Sequence, residues 1–210
     1  MSKDLNPEKA LIFRIVHRNN MPDVLANGCH CKSASVGKPF TQIGNLELIS
    51  KRDTREVPCG PGGTLSDYVP FYFTPYSPML YNIKTGYNGV QKHPVEEIVL
   101  LVSSLHTLKK QGIPFVFSDR HAYLRTALFS DDLADLNRII WSTLQARNFR
   151  KDDLDRFEKY QAEALIHKHM PLTALHGIVC YNDSVGSDMR AAADARQVAV
   201  KIIKQPSWYL

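Results

Sequence analysis

Tyr160-Gln161-Ala162-Glu163-Ala164-Leu165-Ile166 is the stretch on which the fold turns. Read as a strand from Ala162 to His167, it puts Glu163, Leu165 and His167 on one face and Ala162 and Ala164 on the other. Read together with the residues before it, 152 to 168 also draws as one amphipathic helix with Glu163 on its wet face, the reading that the residues alone favour. The strand reading makes Glu163 the acid to single out, a lone carboxylate between alanines and before an apolar run. The helix reading leaves it a solvated charge. The residues alone keep both open.

On the C-terminal side, Gly177-Ile178-Val179-Cys180-Tyr181 reads as a strand, Ser184 to Gln197 as a helix and Val198 to Ile203 as a last strand. On the N-terminal side, Asp119 to Asp155 is helical in places and loosely patterned, with Trp141 and Leu144 as core residues. Before it come a strand at Pro114-Phe115-Val116-Phe117, a helix over Ser103 to Gln111 and a buried strand over Val95 to Val102. Asp67 to Phe73 is an aromatic strand in which Pro70, having no N–H, calls for an edge or a bulge. Residues 29 to 64 have no clear period and hold Gly37, Gly44, Gly60, Gly62 and Gly63; a loop of this length in a compact domain is a functional one. The chain opens with a strand, Leu11 to His17. A short helix follows, with Asn19 or Asn20 at its start, Pro22 in its first turn and Gly28 at its stop. Strands and helices do not alternate regularly, so the class is α+β rather than a doubly wound sheet.

At 210 residues, 44% hydrophobic and 22% charged, the sequence fits one globular domain, 1–210, and not a disordered chain. Its densest apolar run, Ile98 to Val102, falls far short of the ~18–20 residues of a membrane span. The N-terminal MSKDLNPEKA lacks the basic-then-apolar profile of a secretory signal, so a cytoplasmic protein without membrane contact is expected. The net charge of +5 is compatible with a polyanionic partner without demonstrating one. Cys29, Cys31, Cys59 and Cys180 are too irregular for a disulfide framework. Cys29-His30-Cys31 has no second ligand pair downstream, so these read as ordinary thiols of a reducing compartment, with no metal.

Common chemical motifs are missing. Gly60-Pro61-Gly62-Gly63 lacks the Gly-Lys-Ser/Thr of a phosphate loop, and no G-x-G-x-x-G, G-x-S-x-G or H-E-x-x-H occurs. His167 and His169 share a face if both lie on one strand, and read as a polar strand end before a metal site. Asp119-Arg120-His121, following an apolar strand, is either a site of polar chemistry at a cleft or a charged turn.

Several long and unusual segments in fixed order add a resemblance: LIFRIVHRNNMPDVLANGCHC (11–31), IGNLELISKR (43–52), GGTLSDYVPFYFTPYSPMLY (62–81), PFVFSDRHAY (114–123) and YQAEALI (160–166). Nearly end to end, the chain resembles the DarT family of DNA ADP-ribosyltransferase toxins. The resemblance implies an ADP-ribosyltransferase-like fold, two small, mainly antiparallel sheets, roughly orthogonal and flanked by helices, with a central cleft for NAD. It implies transfer of ADP-ribose from NAD to a base of single-stranded DNA. The segment DYVPFYF is similar to the thymidine-modifying branch, another branch modifying guanosine. It also implies an antitoxin partner, a DarG-like macrodomain protein that removes the modification.

By position, Glu163 matches the family's catalytic glutamate and Arg52 its catalytic arginine. Arg14, Ile15, Val16, His17, Asn20 and Gly28 fall in the segment that resembles the NAD cradle, and Gly44, Arg52 and Tyr72 are grouped with them as cofactor-binding residues. The family varies at the positions of Arg14 and Val16, so backbone contacts are the firmer expectation there. Residues 32 to 52 correspond to a loop over NAD, and 119 to 162 to the loop that presents DNA. There Arg120, His121, Tyr123, Arg147 and Arg150 are the expected DNA-binding residues, with Arg125, Lys151 and Phe129 as further candidates.

The chemistry suits a single glutamate. Glycosidases pair two carboxylates because a poor leaving group must be protonated. Nicotinamide in NAD is already cationic, so one carboxylate that stabilises an oxocarbenium-like transition state suffices. Single-stranded DNA avoids the cost of extruding a base from a duplex. The alternatives are an ADP-ribosyltransferase of RNA or protein, and a catalytically silent nucleic-acid-binding module; the presence of both Arg52 and Glu163 favours the enzyme.

Overall fold

The structure, a computed structural model, describes residues 2–35 and 39–209. Gly37 of the glycine-bearing loop lies outside them. β1 (Leu11–His17) is the central strand, and its apolar, β-branched sequence is nearly buried along its length. The chain turns at Arg18–Asn20 into α1 (Met21–Asn27), with Pro22 in the first turn, where a missing N–H costs nothing. Gly28 closes this helix at φ +74° and leads straight into the short β2 (Cys29–His30).

A Cβ at Gly28 would lie 2.5 Å from the Met170 carbonyl oxygen and 2.6 Å from His169 Nε2. Gly28→Ala therefore meets both a left-handed backbone and a backbone clash, and is expected to cost at least ~2 kcal/mol of stability. A urea midpoint equal to that of the unchanged protein would contradict this packing.

After the long loop come α2 (Leu46–Lys51), β3 (Tyr68–Tyr72) and α3 (Pro78–Thr85). Then follow β4 (Ile98–Ser104), fully buried, α4 (Leu105–Lys110), β5 (Phe115–Ser118) and β6 (Phe129–Ser130). The 119–162 region holds α5 (Trp141–Gln145) and α6 (Leu154–Lys159). The chain ends with β7 (Glu163–His167), β8 (His169–Met170), β9 (Gly177–Cys180), α7 (Asp183–Asp194) and β10 (Ile202–Lys204).

The two readings of 152–168 thus each hold for half of the segment. Asp153 caps α6 by accepting the Arg156 N–H, and the helix runs out at Tyr160, whose ring is buried and whose hydroxyl donates to the Tyr76 carbonyl at 3.0 Å. The strand begins at Glu163. The shared-strand reading of His167 and His169 does not hold: Lys168, at φ +59°, breaks the chain between β7 and β8. His167 packs on Tyr68, while His169 stacks on His30 across the separate β2–β8 ribbon. The last strand lies later than Val198 to Ile203 because Gln197, at φ +56°, ends the α7 segment, and only Ile202–Lys204 pairs with β9.

The eight main strands run in the order β10-β9-β4-β1-β3-β7-β5-β6, antiparallel except for β10 with β9. They form two four-stranded halves. Within the first, β1 pairs β4 along all seven residues; within the second, β3 pairs β7 along five. Between the halves the register holds one pair, Phe13↔Tyr72. The cause lies in Pro70, two residues earlier on β3: it offers no N–H, so a ladder to β1 cannot continue past it. The halves thus meet at one registered residue pair within a single eight-stranded sheet, and the β2–β8 ribbon forms a separate small one. The shared core runs across both halves and is closed on one side by α1 and α7. No helix among the described residues is long and apolar enough to cross a membrane.

Candidate active site

The place where the halves part is also where the chemistry collects. Tyr72 pairs Phe13 of β1 on one side and Glu163 of β7 on the other. Arg14, next to Phe13, fills the gap left by Pro70: its Nη1 donates to the Pro70 carbonyl oxygen at 2.9 Å. Burial pulls the Arg14 guanidinium below its ordinary value, Arg52 adds to that, and Cys29 and Tyr72 oppose it. Burial and the nearby Glu163 charge push the Tyr72 hydroxyl well above an ordinary phenol, so it stays protonated and able to donate.

Glu163 is 2% exposed. Burial alone would push its carboxyl up, but Arg52, His121 and the Ala122 N–H outweigh burial and hold it down at about 2. Arg52 Nη1 donates to Glu163 Oε2 at 2.9 Å, and the Ala122 N–H donates to Oε1 at 3.0 Å; His121 Nδ1 lies 3.1 Å from the same Oε1. At neutral pH Glu163 is therefore an ionised acceptor.

Arg52 arrives on α2. Asn45 caps that helix by accepting the Leu48 N–H at 3.1 Å, and two turns later Arg52 forms its C-cap, aimed at Glu163. Its Nη2 is buried and has no hydrogen-bond partner among the described residues. A buried guanidinium nitrogen left unpaired costs free energy that a bound acceptor would recover, and this is the point at which the site fits an anionic or hydroxyl-rich ligand. A cleft of about 960 Å³ lies alongside, with Asn45, Leu48, Tyr72, His121 and Gln161 among its walls; Arg52 and Glu163 stand behind that wall rather than in it.

The remaining expected residues divide. Asn20 does not face open space: its side chain pairs in both directions with the Thr41 backbone, at 2.9 and 2.8 Å, and so pins the loop expected over NAD to the α1 entry. Gly44 lies on that loop, where a Cβ would come 3.1 Å from Ile49 Cδ1. Val16 is packed in the core and Ile15 against it. His17 accepts the Asn19 N–H at Nδ1, so its neutral ring carries the proton on Nε2, 3.2 Å from Glu97 Oε2. His93 Nδ1 reaches the same oxygen at 2.9 Å. This histidine–glutamate cluster, whose ligand atoms are close enough to suggest a cation, is thereby a hydrogen-bonded tie between β1 and the start of β4.

Among the expected DNA-binding residues, His121, Arg147 and Arg150 line the cleft. Tyr123 is half-buried, with Lys51 5.7 Å over its ring. Arg120 is turned elsewhere: three carboxylates, Asp119, Asp155 and Glu158, hold it at 3.1 to 3.5 Å and leave its side chain 14% exposed. Its place is a clamp from the end of β5 to α6. Arg55 was not singled out by the sequence. It donates to the carbonyls of Ala122 and Leu124 at 3.4 and 3.0 Å, fixing the turn that presents the Ala122 N–H to Glu163. Contacts of this kind run through main-chain groups and leave no signature in a side-chain pattern.

With this geometry in view, solved structures similar to the chain carry weight. Thermus sp. 2.9 DarT in complex with NAD+ superposes with a TM-score of 0.84 at 34% identity, covering 97% of this chain and 99% of that one. Thermus sp. 2.9 DarT in complex with ADP-ribosylated ssDNA gives 0.90 at 33%, covering 97% and 98%. The DNA ADP-ribosyl transferase of Escherichia coli O127:H6 is 48% identical over 99% of this chain and 97% of its own. By its fold and by these relatives the chain is an NAD-dependent DNA ADP-ribosyltransferase. The family model described as "ssDNA thymidine ADP-ribosyltransferase, DarT" matches residues 13–210, and the chain belongs to that family.

Proposed function

We propose that Glu163 and Arg52 carry the transfer of ADP-ribose to a thymine of single-stranded DNA, and that the DNA enters along the cleft walled by His121, Arg147 and Arg150. NAD supplies the ribose and a nicotinamide that departs with its bonding electrons without needing an acid. Glu163, held ionised, accepts a hydrogen bond from a ribose hydroxyl and stabilises the positive charge that develops there. The attacking ring nitrogen gives up its proton, and Glu163 is the carboxylate of the constellation that takes it. Arg52 is too basic for that task and supplies charge and position instead. Tyr72 adds a hydroxyl donor, Arg14 a second cation, and the Asn20–Thr41 pair keeps the loop over the cofactor in place.

The observation that carries this reading is the buried 2.9 Å Arg52–Glu163 pair, with one guanidinium nitrogen left over among the described residues and with His121, which reaches Glu163, on the cleft wall. Family membership supports a toxin of the cytoplasm held in check by a DarG-like macrodomain antitoxin. The test uses labelled NAD and four single-stranded oligonucleotides, each lacking one base. A mass gain of one ADP-ribose is expected on the three that contain thymine. Product on the thymine-free strand, or on none, would overturn the reading; label transferred to RNA or polypeptide would replace it.

A further inference from the structure

The cleft does not stop at the catalytic residues. The same cavity that Tyr72 and His121 line extends to Tyr81 on α3 and Tyr87 just after it. These are large aromatic rings left 41% and 48% exposed. They meet edge to face at 6.2 Å, and Tyr81 also meets Phe149 at 6.1 Å, so the pair is braced from the 146–151 side of the cleft. Gly86, in the left-handed conformation at φ +79°, ends α3 and turns Tyr87 back beside Tyr81.

Charge separates this region from the Arg120 and α6 side of the loop. Arg120, Arg156 and Lys159 are all paired to carboxylates. Arg147, Arg150 and Lys151 have none within ion-pair distance among the described residues, and no Asp or Glu lines the cleft. Lys151 Nζ stands 5.2 Å over the Tyr87 ring, and the Arg147 guanidinium 3.7 Å over Tyr76. Exposed rings edged by unneutralised cations are the chemistry that holds a single-stranded polynucleotide, bases stacking on the rings and phosphates meeting the cations.

We propose that Tyr81 and Tyr87 form a stacking platform for a base neighbouring the target thymidine, with Arg150 and Lys151 meeting its phosphates. This rests on the DNA path proposed above and assigns it a second base-holding position. The enzyme gains grip on flanking sequence without reading it by hydrogen bonds, since every base has a face to stack.

The experiment takes an oligonucleotide that the wild-type enzyme modifies at one thymidine and places an abasic site at each flanking position in turn. For the wild type, one flanking position is expected to show a drop of roughly tenfold in kcat/KM, the scale of one lost stack. In the Tyr81→Ala/Tyr87→Ala double variant, KM for the intact DNA rises by about the same factor. The abasic penalty at that position disappears, and kcat and the dissociation constant of NAD stay as they were. Tyr87→Phe, which keeps the ring, retains wild-type behaviour.

Wild-type KM with the full abasic penalty in the double variant would overturn the platform. So would weaker NAD binding with that penalty intact, which would assign the rings to the cofactor. Failure of the path itself reads out separately. If Arg147→Ala and Arg150→Ala leave KM for DNA and its salt dependence unchanged, DNA does not enter by this cleft at all.

Discussion

Glu163→Ala is expected to lower kcat for DNA modification by about 10³-fold, the scale of removing a preorganised charge from a water-poor site. The variant also strands its former partners. Arg52, the Ala122 N–H and His121 all converge on this carboxylate, and the Arg52 side chain is only 14% exposed. A loss of ~3 kcal/mol in stability is therefore expected together with the loss of turnover. Glu163→Gln separates the two effects. It keeps an oxygen for the Ala122 N–H and the same volume, yet carries no charge, so it should be closer to wild type in thermal melting and no closer in rate. Near-normal product formation by the Gln variant would sink the catalytic assignment, because it lacks both the charge and the second acceptor oxygen.

Arg52→Ala is expected to abolish transfer as well, and its pH dependence tells why. Arg52 is the largest influence holding Glu163 at about 2 against burial. In the wild type, a folded-state value so far below the ordinary glutamate value of 4.5 means that Glu163 stabilises the fold fully above that value. This contribution is lost as pH falls from there through about 2. Without the guanidinium, burial pushes the carboxyl back up, and a buried carboxylate stands unpaired at neutral pH. The stability gap between Arg52→Ala and wild type is therefore expected to be widest above pH ~5, about 3 kcal/mol, and to narrow on acidification. Urea titrations across that range check it. A gap that does not change with pH would mean that Arg52 contributes by packing rather than by charge. Lys at this position would keep the charge but lose the second guanidinium nitrogen, which has no partner among the described residues, so only partial recovery of transfer is expected.

Much of the framework is legible without the structure. Leu11–His17, Phe115–Ser118 and Gly177–Cys180 are strands because β-branched and aromatic residues cluster in short runs bounded by turn residues. Pro70 calls for an edge or a bulge, yet β3 lies inside the sheet between β1 and β7, where the register with β1 is a single residue pair and the Pro70 carbonyl accepts from Arg14 instead. Gly28 announces a helix stop and is one, at positive φ. The residues alone left Glu163 undecided between helix and strand; the family's motifs singled it out, and pairing with β3 and β5 is what holds it in a strand.

Other features had no local signal. Arg120 and Arg150 look alike in the sequence. One is neutralised by acids 35 and 38 residues away, and the other faces the cleft. Asn20 carries the composition of a ligand-binding residue, yet its amide is used on the backbone of Thr41. His167 and His169 are two apart, but a single left-handed residue between them sends them to different partners.

By itself the sequence determined the α+β class, most strands, the helix stop at Gly28 and, through its long motifs, the family. These depend on neighbours within a few residues, where backbone sterics and side-chain alternation act directly. Only the tertiary structure decided which charges are free, which are paired and where the cleft runs. Arg52 and Glu163 are 111 residues apart, and their 2.9 Å contact exists because the fold brings the end of α2 within side-chain reach of the start of β7. Electrostatic neutralisation and burial depend on distance in space, which a local pattern along the chain does not encode.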